Sequence, residues 1–315
     1  METDHKEIII IGSGMVGLSI AYQLIDNNLA NSILVLDKEK VIGMHSSGRN
    51  SGVLHAGLYY KPDSIKAKVC VSGAKKLKEW IVDRKLPINN CGKVIIPHLT
   101  KLDSQLDILA ERGRRNGAEV EFLDERQLKD LVPAAHTSTG RALWSPNTSV
   151  VKPMKVLNRL KFELEDKGVE FIYGVDEWKA IPKDNQLVLK DGTKLNYDHL
   201  FNCSGLQADR VAHQFEVGKQ FSLIPFKGIY WELKSDCPIK IATNLYPVPD
   251  LNLPFLGVHF TPNTDPNPTV TIGPTATPAW GRENYNNCDA IEFKVAASTI
   301  NLISRQYLLN IDGFR

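Results

Sequence analysis

Residues 7–37 read EIIIIGSGMVGLSIAYQLIDNNLANSILVLD. The apolar run at 7–11 (EIIII) predicts a buried strand. Residues 15–29 (MVGLSIAYQLIDNNL) predict a helix, and residues 32–36 (SILVL) predict a second buried strand. Strand, helix and strand in that order make one βαβ unit, which implies parallel pairing and a right-handed crossover. At its first turn, Gly12-Ser13-Gly14-Met15-Val16-Gly17 spells G-x-G-x-x-G. The first glycine permits the tight turn, the second lets a pyrophosphate approach the backbone, and the third lets helix and strand pack closely. The helix start presents N–H groups and partial positive charge to phosphates. Asp37 closes the second strand, with Lys38 beside it, about 20 residues beyond the glycines, where an acid accepts ribose hydroxyls. These features predict a dinucleotide site on Gly12, Gly14, Met15, Val16, Gly17, Asp37 and Lys38. An acid at position 37 argues against a 2′-phosphate. The motif alone does not separate NAD from FAD.

The loop that follows carries more. Residues 41–63 are too long and too rich in Gly and Ser for a mere connection. Small residues let the backbone approach a ligand. Ser46, Ser47, Asn50 and Ser51 offer hydroxyl and amide groups to a pyrophosphate or a flavin edge, Gly52 adds freedom, and Arg49 adds a fork for an anion. Residues 64–85 predict a helix capped by Asp63 or Ser64, and residues 102–116 predict another, closed by Gly117.

A composition shift near residue 86 opens a second region. Segments 91–97, 120–123, 141–151 and 221–233 predict antiparallel strands. Pro153 to Lys167 predicts a helix ended by Gly168. Residues 169–174, 186–190 and 193–197 return to strand, with Asp191-Gly192 as a hairpin turn. Residues 198–206 (DHLFNCSGL) predict a strand running into a glycine turn at Ser204-Gly205 and then a helix. The chain leaves a dinucleotide-binding lobe, builds a sheet and returns. The expected organisation is two discontinuous lobes: 1–85 with about 150–215 binding the nucleotide, and 86–149 with about 216–285 binding substrate. Residues 286–315 stay unassigned.

The bulk numbers exclude other classes. With 38 basic and 36 acidic residues the net charge is +2, which leaves no electrostatic footprint for nucleic acid. Cys70, Cys91, Cys203, Cys237 and Cys288 are odd in number and widely spaced, so neither a disulfide framework nor a metal site is expected, and a reducing compartment fits. The apolar stretch Ile8 to Ile25 contains three glycines, two serines and Gln23, and lacks a basic n-region; it is expected to be neither a signal peptide nor a membrane span. A cytoplasmic location is expected, at most at the inner face of a membrane.

From the loop onward the chain resembles one family. SSGRNSGVLHAGLYYKPDSIKAKVCVSGAKKL (46–77), CGKVIIP (91–97), NCSGLQADRVA (202–212), IPFKGIYWEL (224–233), LYPVPDLNLPFLGVHFTPN (245–263) and TIGPTATPAWGRENY (271–285) occur in order. They resemble segments of the FAD-dependent L-2-hydroxyglutarate oxidases and dehydrogenases, within the D-amino-acid-oxidase-like flavoproteins. The resemblance implies a glutathione-reductase-like α/β FAD domain of Rossmann type, interleaved with a mixed or antiparallel-sheet substrate domain. It implies FAD as cofactor, with Ser204 and Gly205 at a second flavin-contacting turn. It implies oxidation of L-2-hydroxyglutarate to 2-oxoglutarate. Quinone or oxygen would be the electron acceptor, and peripheral membrane association would accompany a quinone. Lys227 stands where the family usually has Arg, Thr275 where it has Asn, and Gly281 where it commonly has Lys. The family also carries a C-terminal segment covering the flavin, with which 286–315 do not align. That implies a fragment or an incomplete flavin site.

Oxidising a 2-hydroxy acid needs a proton acceptor near neutral pH and cations for carboxylates. Of eight histidines, His55 and His259 fall inside family-like blocks. His55 is favoured as the base because its loop is expected against the flavin. Lys227 is expected to pair a carboxylate, with Arg282 as a second candidate, and Tyr60 and Tyr246 to line the pocket. Two competing readings are an amine, amino-acid or glycerol-phosphate oxidoreductase of the same superfamily, and a truncated chain that binds FAD weakly or not at all and catalyses nothing.

Overall fold

A computed structural model of the chain describes residues 4–249, 257–265 and 269–310. The stretch 250–256 of the family-like block 245–263 lies outside these residues. The described chain divides into two compact units.

The first unit holds residues 1–50, 153–225 and 281–283. Its six-stranded sheet runs in the order Trp178–Ile181, Gln186–Leu189, Lys194–Asn202, Asp4–Ile11, Ile33–Asp37, Glu170–Tyr173. The last four strands are parallel, as the βαβ reading requires, and the first two join as antiparallel neighbours. Ile9, Ile11, Leu34, Leu36, Leu187 and Leu195 share one buried cluster, so the apolar runs of the sequence face a common core. The first helix, Met15–Asp26, packs against the helix Pro153–Asp166. It stops three residues short of the predicted end. Asn27 turns its amide onto the Gln23 carbonyl (2.8 Å), and Asn28 takes the left-handed conformation that asparagine tolerates.

The second unit holds residues 51–152, 226–280 and 284–315. Its main sheet has seven strands in the order Trp231–Glu232, Val270–Gly273, His259–Pro262, Asn244–Pro247, Lys93–Ile96, Arg141–Ser145, Glu121–Asp124. All neighbours are antiparallel except Asn244–Pro247 with Lys93–Ile96. The helix Asp103–Arg115 buries Leu106, Leu109 and Ala110 in a core shared with Leu58, Ile95, Leu143 and Tyr246. Ser64 caps the helix Ile65–Asp83 by accepting from Ala67 N (3.2 Å). That helix and residues 51–64 group with the second unit, whereas the sequence placed 51–85 in the first.

Several elements differ from expectation. Residues 193–197 and 198–206 are not two strands. Lys194–Asn202 is one strand, because its first residues pair antiparallel with Gln186–Leu189 while its length runs parallel to Asp4–Ile11. The expected strand 221–233 shrinks to Phe226–Lys227 and Trp231–Glu232. Pro225 has no N–H for a ladder, and Gly228 lies so close to Pro274 that a Cβ there would sit 2.6 Å from its ring. A turn at Pro146-Asn147 splits 141–151 into Arg141–Ser145 and Ser149–Val151. The helix Glu125–Leu131 was not expected; Asp124 and Gln127 close a capping box at its start, a D-x-x-Q pattern visible in the sequence. Residues left unassigned include the helix Phe293–Leu309, of which Thr299 alone is buried while Phe293, Ile300 and Leu308 are exposed. Among the described residues no helix is long and apolar enough to cross a membrane.

Candidate functional site

In the first unit the glycine turn is held by three strands of backbone. Gly12 has φ +107° and donates to the Leu36 carbonyl (2.7 Å). A Cβ on Gly12 would lie 2.4 Å from the Cys203 carbonyl, and one on Gly17 would lie 2.0 Å from that of Gly12. These two glycines answer the fold itself. Gly14 is different: a Cβ there would meet only the Ser47 hydroxyl, at 2.9 Å, so its demand comes from whatever occupies the turn. Ser47 Oγ accepts from Met15 N (2.9 Å), seating the serine loop on the helix start, while Val16 remains exposed. Asn50 in turn donates to the Ser46 and Ser47 carbonyls, and Arg49 Nε to that of Met44.

Asp37 acts first on the turn. Its Oδ2 accepts from Ser13 N (2.7 Å) and from Ser13 Oγ, and its Oδ1 from Glu39 N (2.9 Å). A carboxylate has about four acceptor positions, so room is left for one ribose hydroxyl. Lys38 binds Glu283 (2.6 Å) and Glu39, and His45 also reaches Glu39 (2.8 Å). Glu39, His45 and Glu283 converge within the spacing of metal ligands, but the Lys38 ammonium already supplies positive charge to both carboxylates. Burial opposes that ammonium, and the hydrogen bonds to Glu283 and Glu39 more than compensate, so its pKa rises.

In the second unit a buried polar cluster surrounds Tyr246, which is 2% exposed. The His259 ring stacks on it at 3.9 Å, and the His55 ring stands edge-on at 6.3 Å. His259 Nδ1 lies 3.0 Å from the Gly257 carbonyl, which fixes its orientation. His55 Nδ1 is buried with no hydrogen-bond partner. Burial, then Lys93, then His259 push the His55 pKa down to about 3, so its imidazole is neutral at physiological pH. Lys93 itself is 0% exposed, and its amine has no hydrogen-bond partner. It rests 4.5 Å from the ring centre of Tyr59 and 5.2 Å from that of Tyr246.

The sequence profile described as FAD dependent oxidoreductase (DAO) matches residues 7–309. The chain belongs to this FAD dependent oxidoreductase family. The family match passes the end of the recognised sequence blocks and takes in the helix Phe293–Leu309. The mitochondrial L-2-hydroxyglutarate dehydrogenase of Caenorhabditis briggsae is 35% identical over 91% of this chain and 67% of its own length. That of Nematostella vectensis is 34% identical over 91% of this chain and 66% of its own. The chain therefore spans about two thirds of the length of these curated relatives. The FAD-bound L-α-glycerophosphate oxidase of Mycoplasma pneumoniae superposes with a TM-score of 0.74 at 21% identity, covering 92% of this chain and 76% of that one, and so shares the fold.

The residues of the turn fit the family's cofactor. An exposed helix start, a glycine whose only side-chain constraint is a hydroxyl, and an acid with acceptor capacity to spare suit the diphosphate and ribose of FAD. Gly12, Gly14, Met15, Val16, Gly17, Asp37, Lys38, Ser46, Ser47, Arg49, Asn50, Ser204 and Gly205 all fall in the first unit. Ser204 Oγ binds Asn202 Oδ1 (2.6 Å), and Gly205 has φ +56°. Ser51, Gly52, His55, Tyr60, Lys227, Tyr246 and His259 fall in the second. Tyr60 is half-buried, and Lys227 Nζ donates to Asn284 Oδ1 (3.1 Å).

Arg282 departs from expectation. Its guanidinium grips Asp209 through both terminal nitrogens and also donates to the Leu206 carbonyl. This ion pair holds the Asp209 carboxyl well below the usual carboxylate range. Arg282 is thereby a structural tie rather than a carboxylate ligand. The sequence reading also missed Lys93. The signal was a lysine entering an apolar strand, CGKVIIP, at a position whose neighbours are buried.

Proposed function

We propose that the chain oxidises L-2-hydroxyglutarate to 2-oxoglutarate as a FAD-dependent dehydrogenase or oxidase. One observation carries the chemistry: a half-buried, neutral imidazole whose Nδ1 has no hydrogen-bond partner, His55, stands among aromatic rings in the second unit of a family member. When bound, FAD supplies the two-electron acceptor for the hydride of the substrate C–H. Gly12, Gly14, Gly17, Asp37, Ser46, Ser47, Asn50, Ser51, Gly52, Ser204 and Gly205 are the residues that would hold it. His55 takes the proton of the 2-hydroxyl, so the carbon that loses the hydride becomes a ketone. His259 and Tyr246 keep the His55 ring in place through their stack and edge contact. Lys227 pairs a substrate carboxylate, and Tyr60 contributes to the pocket. A lysine in that role holds the anion as a point charge rather than a two-pronged fork, which loosens discrimination among carboxylic acids. The electrons pass on to a quinone or to oxygen, the former with peripheral association at a membrane.

The test is anaerobic bleaching of the FAD-reconstituted protein. L-2-Hydroxyglutarate is expected to reduce the flavin, while the D-enantiomer, glycine and glycerol 3-phosphate leave it oxidised. Reduction by glycine or glycerol 3-phosphate in its place would move the chain to another branch of the family.

A further inference from the structure

Lys93 is a cation in the wrong place unless something uses it. It sits on the strand Lys93–Ile96, fully buried, with no acceptor for its amine. The groups facing it come from four elements. His55 and Tyr59 stand on the segment after Val53–Leu54, Cys70 on the helix Ile65–Asp83, Tyr246 on its neighbouring strand and His259 on the next. Burial raises the Cys70 thiol and both tyrosine hydroxyls, so none is an anion at neutral pH. Burial lowers the His259 pKa, which disfavours its charged form. Cys70 Sγ is also turned to the His55 carbonyl (3.3 Å), which ties the two segments together. Two groups remain whose charge bears on catalysis, His55 and Lys93, and no carboxylate among the described residues bonds the Lys93 amine.

We propose that Lys93 is a positioning residue for the proton-accepting histidine: in this cluster around Tyr246 Lys93 and His55 are not both cationic, so Lys93 must be uncharged for His55 to take a proton. This rests on the reading of His55 as the base. The reason is Coulombic: both groups flank the Tyr246 ring, Lys93 Nζ at 5.2 Å and the His55 ring at 6.3 Å from its centre, and two like charges on one such ring in a poorly solvated interior repel and titrate together. A proton passing from the substrate hydroxyl to His55 creates a second cation when Lys93 carries one, and the first when it does not. Burial lowers the Lys93 pKa to about 7, which puts its discharge in the working range. Lys93 then gates the step without touching the substrate.

The experiment reads the linkage both without and with turnover. In the full 315-residue protein, labelled-histidine NMR follows His55, assigned by its loss in His55→Gln. In wild type the ring is expected to stay neutral down to strongly acidic pH. In Lys93→Met its titration should move up by about one pH unit or more, the scale of coupled sites. Lys93→Gln is a second uncharged variant should Met misfold. With L-2-hydroxyglutarate, the acid limb of kcat should move to lower pH in both variants. Lys93→Arg, with a permanent charge, should lose at least tenfold in kcat at every pH and show no limb near neutrality. An unchanged His55 titration in a folded Lys93→Met or Lys93→Gln protein overturns the proposal. A shifted titration in a protein that L-2-hydroxyglutarate fails to reduce leaves the linkage standing and removes only the substrate reading.

Discussion

The glycine turn and the His55 cluster are built on opposite terms. In the turn, the N–H groups of Gly12, Ser13 and Met15 are satisfied by the Leu36 carbonyl, Asp37 and Ser47, and the chain folds back so tightly that two glycines are compulsory. In the cluster, His55 Nδ1, Tyr59 Oη and Lys93 Nζ are all buried without partners. Buried polar atoms normally find partners because leaving one unmade costs about 1–3 kcal/mol. The first region serves the fold and the cofactor together. The second works against the fold, and such local conflict is expected where side chains are held for chemistry.

The largest effect that would break this contrast lies at Gly12. Gly12→Ala combines a left-handed backbone, costing about 1–3 kcal/mol, with a collision against the Cys203 carbonyl. The variant should lose at least about 3 kcal/mol and yield little folded protein. Gly14→Ala, opposed only by a hydroxyl, should fold normally yet retain little FAD, and flavin content per folded chain measures this. A Gly12→Ala protein as stable as wild type would refute the geometry of the turn.

The cluster should respond with the other sign. Lys93 releases its proton near pH 7 when folded and near 10.5 when unfolded. The unfolded chain therefore binds more protons between those values, and stability rises as pH climbs from about 7 towards 10.5. Lys93→Met should flatten that rise and stabilise the protein at pH 7 by about 1–4 kcal/mol, as when buried charges give way to apolar side chains. Denaturant melts at pH 6, 7, 8.5 and 9.5 would show it, and a destabilised Lys93→Met protein would mean that the amine has a partner after all.

A smaller effect sharpens the account of the turn. Asp37→Ala removes the acceptor of Ser13 as well as a ribose ligand. It should weaken FAD binding by about 1–3 kcal/mol and lower the melting temperature of the cofactor-free protein as well. An unchanged melting temperature would restrict Asp37 to ribose recognition.

Legibility in the sequence followed the same division. The βαβ unit and its glycine turn could be read because strand, turn, helix and acid lie within residues 7–37, with the glycines at the spacing a dinucleotide turn requires. The cluster gathers His55, Lys93, Tyr246 and His259 from four stretches of chain, so no local pattern announces it. Family-like blocks pointed to two of its histidines and to Tyr246. Lys93 drew no notice because its burial depends on neighbours in the sheet that are distant in sequence. Arg282 was misread because Asp209, its partner, lies on another block. Likewise, 193–197 and 198–206 looked like separate strands because the change of partner along Lys194–Asn202 leaves no mark on its composition.

The strand Asp4–Ile11 lies between Ile33–Asp37 and Lys194–Asn202. During synthesis the first neighbour is made almost at once, the second only after residue 202. Until then one edge of the N-terminal strand keeps its row of N–H and C=O groups unpaired, an invitation to wrong pairing. Gly12 meanwhile lacks the Cys203 backbone that closes over it. The cofactor turn is thus encoded first and completed late, and a ribosome-bound chain must be shielded along that edge until its own later strand arrives.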